Sequence, residues 1–113
     1  MTITYSSFFA PTVLGTSAAP LLTVPTTPAG SLLRGGRVRL TNTTSAAVTV
    51  TLYAVPAAGA AAAANAFVSG KSINANDFLD VDVPIMPAGA ILEGLASAAT
   101  AITAHMISGG LYS

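Results

Sequence analysis

Cysteine is absent from this chain of 113 residues, which excludes disulfides, thiolate nucleophiles and cysteine-ligated zinc. Tryptophan is also absent, and aromatic residues make up only 6% of the chain. Charge is scarcer still for a folded protein. Asp, Glu, Lys and Arg together reach 7%, against about 25% in a typical soluble domain. Four basic and four acidic residues cancel. With Arg34, Arg37, Arg39 and Lys71 as its cations, the chain has no basic surface with which to track phosphates, so no nucleic-acid partner is expected. Long apolar runs are missing too. The uncharged stretches 1–33 and 40–70 are broken by Pro, Thr, Asn and Gly, and neither supplies the ~20 apolar residues of a membrane helix, so no membrane partner is expected. Residues 1–10 carry no positive region ahead of an apolar stretch, so no secretory leader is expected.

What is present is apolar and small. Hydrophobic residues account for 52% of the chain, and a chain of this length buries roughly two thirds of its unfolded surface in one domain. The surface is then left to Ser, Thr, Asn, Ala and Gly. A free monomer is kept dispersed by a charged surface with net charge away from zero. A neutral surface of small residues loses little on desolvation and favours packing against other subunits. The composition therefore points to an assembly component, expected as a homo-oligomer.

Proline and glycine punctuate the chain at short intervals, and the runs between them are rich in β-branched residues. That pattern predicts an all-β fold, an antiparallel β-sandwich of about eight short strands. Candidate strands cover 21–24, 37–41, 48–55, 67–73, 78–83, 91–96 and 102–108, with a weaker one near 2–5. Two-residue alternation assigns their faces. Val48, Val50 and Leu52 share one side, opposite Thr49, Thr51 and Tyr53. Leu79, Val81 and Val83 point inward, with Asp80 and Asp82 to water. Val38 and Leu40 point inward between Arg37 and Arg39. The stretch 41–46, Thr-Asn-Thr-Thr-Ser-Ala, reads as a hairpin turn in which Asn42 adopts a turn conformation. The alanine-rich run 57–66 has helical propensity but no amphipathic period, and Pro56 and Gly59 flank or interrupt it. It is predicted as a small-residue loop with room for one helical turn. The domain division is an N-terminal arm, 1–20, followed by a sandwich over 21–113.

A faint internal repeat is visible. Pro28-Ala-Gly-Ser-Leu-Leu-Arg-Gly35 matches Pro87-Ala-Gly-Ala-Ile-Leu-Glu-Gly94 at five of eight positions, and each copy precedes an alternating strand. Two related units would suit a double-sheet jelly roll, which is built from two Greek keys. Chance similarity in a chain rich in Pro, Ala and Gly is the competing explanation.

Few residues of the chain could carry chemistry. His105 is the one histidine; it is placed on the outward face with Thr103 and Ile107, while Ile102, Ala104 and Met106 alternate inward. One histidine without a second ligand or a nucleophile makes no zinc or acyl-transfer site. Asp77, Asp80, Asp82 and Glu93 are the carboxylates. Asp80 and Asp82 share a strand face at ~7 Å, but glycoside hydrolysis needs one carboxyl of its pair buried to raise its pKa. Asn74, Asn76 and Asp77 lie nearby without calcium-loop spacing. The turn 33–37, Leu-Arg-Gly-Gly-Arg, lacks the Lys-Ser/Thr end of a phosphate loop. The three arginines are expected as edge-strand or interface charges, since positive charge on an edge blocks uncontrolled strand pairing. No catalytic, cofactor or metal-binding residue is assigned, and the protein is not expected to be an enzyme. In the arm, Tyr5, Phe8 and Phe9 place three of the seven aromatics within five residues. They either close the end of the sandwich or dock into a neighbouring subunit, and they are the candidate subunit-interface residues.

The stretch 37–56, Arg-Val-Arg-Leu-Thr-Asn-Thr-Thr-Ser-Ala-Ala-Val-Thr-Val-Thr-Leu-Tyr-Ala-Val-Pro, resembles a pattern in small virion proteins of tailed phages. In those proteins a strand, a Thr-Asn-Thr-Ser turn and an Ala-Val-Thr-Val-Thr-Leu-Tyr strand precede a Pro/Gly/Ala loop ending in Asn. A further strand and a Pro-Ala-Gly turn follow. Asn65-Ala-Phe-Val, the run 73–83 and the run 87–97 hold those places here, so the resemblance covers roughly 25–109. It implies a jelly-roll-like sandwich on a virion, made in the host cytoplasm. The function implied first is a capsid decoration (cement) protein that binds the shell as a homo-oligomer, with the major capsid protein or other virion subunits as partners. A tail- or fibre-associated structural protein is the alternative. From a different class comes a carbohydrate-binding sandwich module, for which Tyr53, Tyr112 and Tyr5 are the available rings.

Overall fold

The computed structural model describes residues 3–4, 11–26 and 31–112. The described residues form ten strands: β1 (Ile3–Thr4), β2 (Thr12–Val13), β3 (Ala19–Thr23), β4 (Leu32–Asn42), β5 (Val48–Val55), β6 (Ala66–Ile73), β7 (Phe78–Asp82), β8 (Met86–Pro87), β9 (Ile91–Ala96) and β10 (Ile102–Tyr112). They build two antiparallel sheets. The first runs β1-β10-β4-β7, with β2 also on β10 and β8 also on β4; the second runs β3-β9-β5-β6. Strands β1 and β2 pair with β10, β3 with β9, β4 with β7 and β8, and β5 with β6. The chain is thus one long hairpin with β5 and β6 at its tip. Rolling that hairpin lays β4 on β10 and β5 on β9, which closes the two sheets of a jelly-roll sandwich.

The strand faces follow from alternation. On β5, Val48, Val50 and Leu52 are buried while Thr49, Thr51 and Tyr53 are half-buried on the outer side. On β9, Leu92, Gly94 and Ala96 face in between Ile91, Glu93 and Leu95. The core joins both sheets through Leu33, Val38, Leu40, Leu52, Leu92 and Ile102, each with no exposed surface. Leu79 and Val81 pack against that core from edge strand β7 but stay half-buried. Within the stretch expected as an arm, Thr12 and Val13 pair with β10, and Leu14 lies in the core.

The connection after β4 differs from the expected hairpin. Strands β4 and β5 lie in different sheets, so residues 43–47 carry the chain across the sandwich. Asn42 is the last residue of β4 and does not take a positive φ. Its role is carried by its side chain. The fully buried amide Nδ2 lies 2.8 Å from the Ala46 carbonyl, 3.1 Å from that of Ile73 and 3.2 Å from that of Asn74, while Oδ1 accepts from the Thr44 N–H at 3.0 Å and hydroxyl at 2.7 Å. One residue thereby ties the β4–β5 crossing to the β6–β7 crossing. The alanine run is a loop ending in a single 3-10 turn, Ala63–Asn65, with no buried residue. Asn65 holds it, accepting from the Ala62 N–H and donating to the Ala60 carbonyl.

The repeat has a structural counterpart. It extends upstream in sequence, because Val24-Pro25 and Val83-Pro84 hold the same places relative to Pro28-Ala-Gly and Pro87-Ala-Gly. Val24 and Val83 are both buried, as are Leu33 and Leu92, and Ser31 and Ala90. Exchanging β3, β4 and β5 for β7, β9 and β10 converts β10-β4-β7 of the first sheet into β5-β9-β3 of the second. Strand order survives that exchange; register does not. Thr23 lies opposite Ile91, whereas the equivalent Asp82 and Leu32 lie opposite Arg37 and Pro87.

Candidate interaction surface

Residues directly opposite on paired strands share a face, and this rule lays out the exterior of each sheet. On the first sheet, Val13, Thr103, Thr41 and Phe78 form one row across β2, β10, β4 and β7. The next row is His105, Arg39 and Asp80, and a third is Ser108, Arg37 and Asp82. Ile107 bulges out between the last two rows, 43% exposed. Arg-x-Arg on β4 therefore meets Asp-x-Asp on β7, giving two rungs of opposite charge.

The rungs are unequal. Arg39 grips Asp80 with two hydrogen bonds, Nε to Oδ1 at 2.7 Å and Nη2 to Oδ2 at 3.0 Å. The Arg39 guanidinium also stacks over the Phe78 ring, 4.4 Å from its centroid. Arg37 lies 3.5 Å from Asp82, whose side chain is 89% exposed. The Arg39 hydrogen bonds hold the Asp80 carboxyl below the usual carboxylate range against the opposing pull of desolvation, and Arg37 adds a smaller electrostatic contribution. This arrangement corrects two sequence expectations. Asp80 does not point freely to water, because its side chain is only 19% exposed and clasped by Arg39. Arg37 and Arg39 are not edge-strand charges either: β4 lies between β10 and β7, and the edge strand β7 carries their aspartates.

The exterior of the second sheet is nearly uncharged. Thr51 lies opposite Leu95 and Tyr53 opposite Glu93, while Val55, opposite Ile91 at the end of the row, is fully buried. Glu93 also faces Pro20 on β3. Tyr53, Ile91, Glu93 and Leu95 are each half-buried.

His105 stands exposed beside Arg39, on the outward face, as alternation predicts. Asp77 lies in the β6–β7 turn, where its Oδ1 accepts from the Phe78 N–H. Among the described residues no group of three or more His, Asp or Glu side chains could hold a metal ion, and no buried side-chain nitrogen or oxygen lacks a hydrogen bond. Tyr5, Phe8 and Phe9, the candidate interface residues, lie outside the described residues. Sequence reading missed the pairing of the two charge ladders. Its signal was available: two alternating strands, each with charges two residues apart and of opposite sign. The short strands β2 and β8 left no comparable signal. No family model, no curated protein and no solved structure matches this chain.

Proposed function

We propose that the protein is a non-enzymatic structural subunit of a phage particle, a capsid decoration protein that binds the shell as a homo-oligomer. The observation that carries this reading is the state of its charges. Only eight residues are Asp, Glu, Lys or Arg, and four of them face one another in the Arg37–Asp82 and Arg39–Asp80 pairs. What remains outside is mostly small, polar or apolar with few charges, and such a surface gives up little hydration when another subunit covers it. The sandwich fold accommodates this role without dictating it, because fold alone does not give function. The resemblance of residues 25–109 to virion proteins supplies the particle, and the composition supplies the tendency to assemble.

The test has two arms. Sedimentation across a wide concentration range is expected to show a defined oligomer. Mixing with empty capsid shells is expected to bring the protein down with them. Binding to isolated tails in place of shells moves the assignment to a tail- or fibre-associated subunit. A stable monomer that ignores both overturns the proposal.

A further inference from the structure

Beyond the two ion pairs of the first sheet, the charges remaining are Arg34, Lys71, Asp77 and Glu93. Asp77 is engaged in its turn. Arg34, Lys71 and Glu93 make no ion pair among the described residues. Arg34 and Lys71 are exposed, whereas Glu93 is half-buried. It sits in the interior strand β9, between Tyr53 on β5 and Pro20 on β3, with Ile91 and Leu95 to either side on the same face. One carboxylate in an otherwise uncharged, partly apolar field is costly to cover unless a cation arrives with the cover.

We propose that this face is covered by a second copy of the chain, and that Arg34 of that copy meets Glu93. The proposal deepens the homo-oligomer part of the reading above and does not depend on where the oligomer binds. Four observations select this contact. Packing the face on itself about a two-fold axis through the Tyr53–Glu93 row would bring two carboxylates together. Arg39 is held by two hydrogen bonds to Asp80, and Arg37 already has Asp82 within 3.5 Å. Lys71 lies on β6, the edge of the same sheet, whereas Arg34 belongs to the other sheet. Arg34 also points outward, because its neighbour Leu33 is fully buried. The edges of the second sheet offer poor alternatives: β3 contains Pro20 and a register shift, and β6 pairs through two register shifts.

Arg34 and Glu93 occupy the same position in the two copies of the internal repeat, with opposite charge. The contact joins two different patches, so it is heterologous. It closes into a ring where the rotation per subunit allows and otherwise continues as a stack.

Sedimentation velocity on the full chain tests the proposal, with circular dichroism as the folding control. Arg34→Glu and Glu93→Arg are each expected to weaken self-association by about tenfold or more, and the double variant to restore it. Glu93→Gln, which introduces no new charge, is expected to weaken it less. Self-association that survives both single variants, or that the double variant fails to restore, overturns this contact while leaving the homo-oligomer intact. A chain that is monomeric at every concentration overturns both. Soluble oligosaccharides that shift the Tyr53 resonances and leave association unchanged would assign the face to a sugar ligand and overturn the proposal.

Discussion

The two copies of the repeat place the same residues in two different environments. In residues 31–35 and 90–94 the inward positions agree: Ser31 and Ala90 are small and buried, and Leu33 and Leu92 are large and buried. The outward positions diverge to opposite charges, Arg34 and Glu93. The final glycines agree in sequence and differ in purpose. Gly35 has a φ of +69° with open space around it, so the backbone requires it. Gly94 has no such φ, but a Cβ there would stand 2.8 Å from Leu52 Cδ2, so the Leu52 side chain would have to shift to admit it. The core fixes what points into it. The exterior leaves charge free to differ, and one glycine letter answers two distinct physical demands.

The largest effects should come from the inward positions. Leu33→Ala and Leu92→Ala are each expected to lower stability by about 2–5 kcal/mol, the usual range for emptying a fully buried leucine site. Urea unfolding of both variants checks this. A loss several-fold smaller in one copy would mean that the two sheets do not share the core equally.

The glycines sharpen the contrast. Gly94→Ala should cost about 1–3 kcal/mol by overpacking against Leu52. Gly35→Ala should cost about 1–2 kcal/mol through its left-handed backbone. Asparagine separates the two causes, because it tolerates that backbone better than alanine but is bulkier. Gly35→Asn should be milder than Gly35→Ala, and Gly94→Asn harsher than Gly94→Ala. The same order at both sites in thermal melts would refute the distinction.

The smallest effect compares the two rungs of the first sheet. Asp80 has a lowered pKa in the folded chain, so its contribution is present above its unfolded value, about 3.9. It is lost as pH falls through the lower, folded value. Asp80→Asn should therefore remove part of the acid sensitivity below about pH 4 and lower the melting temperature slightly at neutral pH. Asp82→Asn, at an 89% exposed side chain with a 3.5 Å contact, should leave the neutral melting temperature nearly unchanged. Matching acid profiles for the wild type and Asp80→Asn would show that the Arg39 clasp contributes nothing.

Much of this molecule is decided locally and can be read from the chain. Strands β5 and β9 match the expected 48–55 and 91–96 at both ends, because period-two alternation is a property of neighbouring residues. The inward set of Val38, Leu40, Val48, Val50 and Leu52 follows from the same alternation and is buried as expected. Strands β4 and β10 run longer than expected, since Gly35, Gly36, Gly109 and Gly110 look like breakers, yet the two strands continue through a register shift there, with Gly110 opposite Arg34. The two-residue strands β2 and β8 exist only because β10 and β4 are there to receive them.

The sequence by itself determined the all-β character, the strand faces and the scarcity of charge. Only the tertiary structure decided which strands meet. Arg39 finds Asp80 across 41 residues of chain, Asn42 joins two crossings, and the unbroken register of β4 on β7 sets the Arg and Asp ladders opposite each other. The physical reason is that a strand's own residues fix which side is apolar, whereas its hydrogen-bonding edges accept any strand that the closure of the whole sandwich brings alongside.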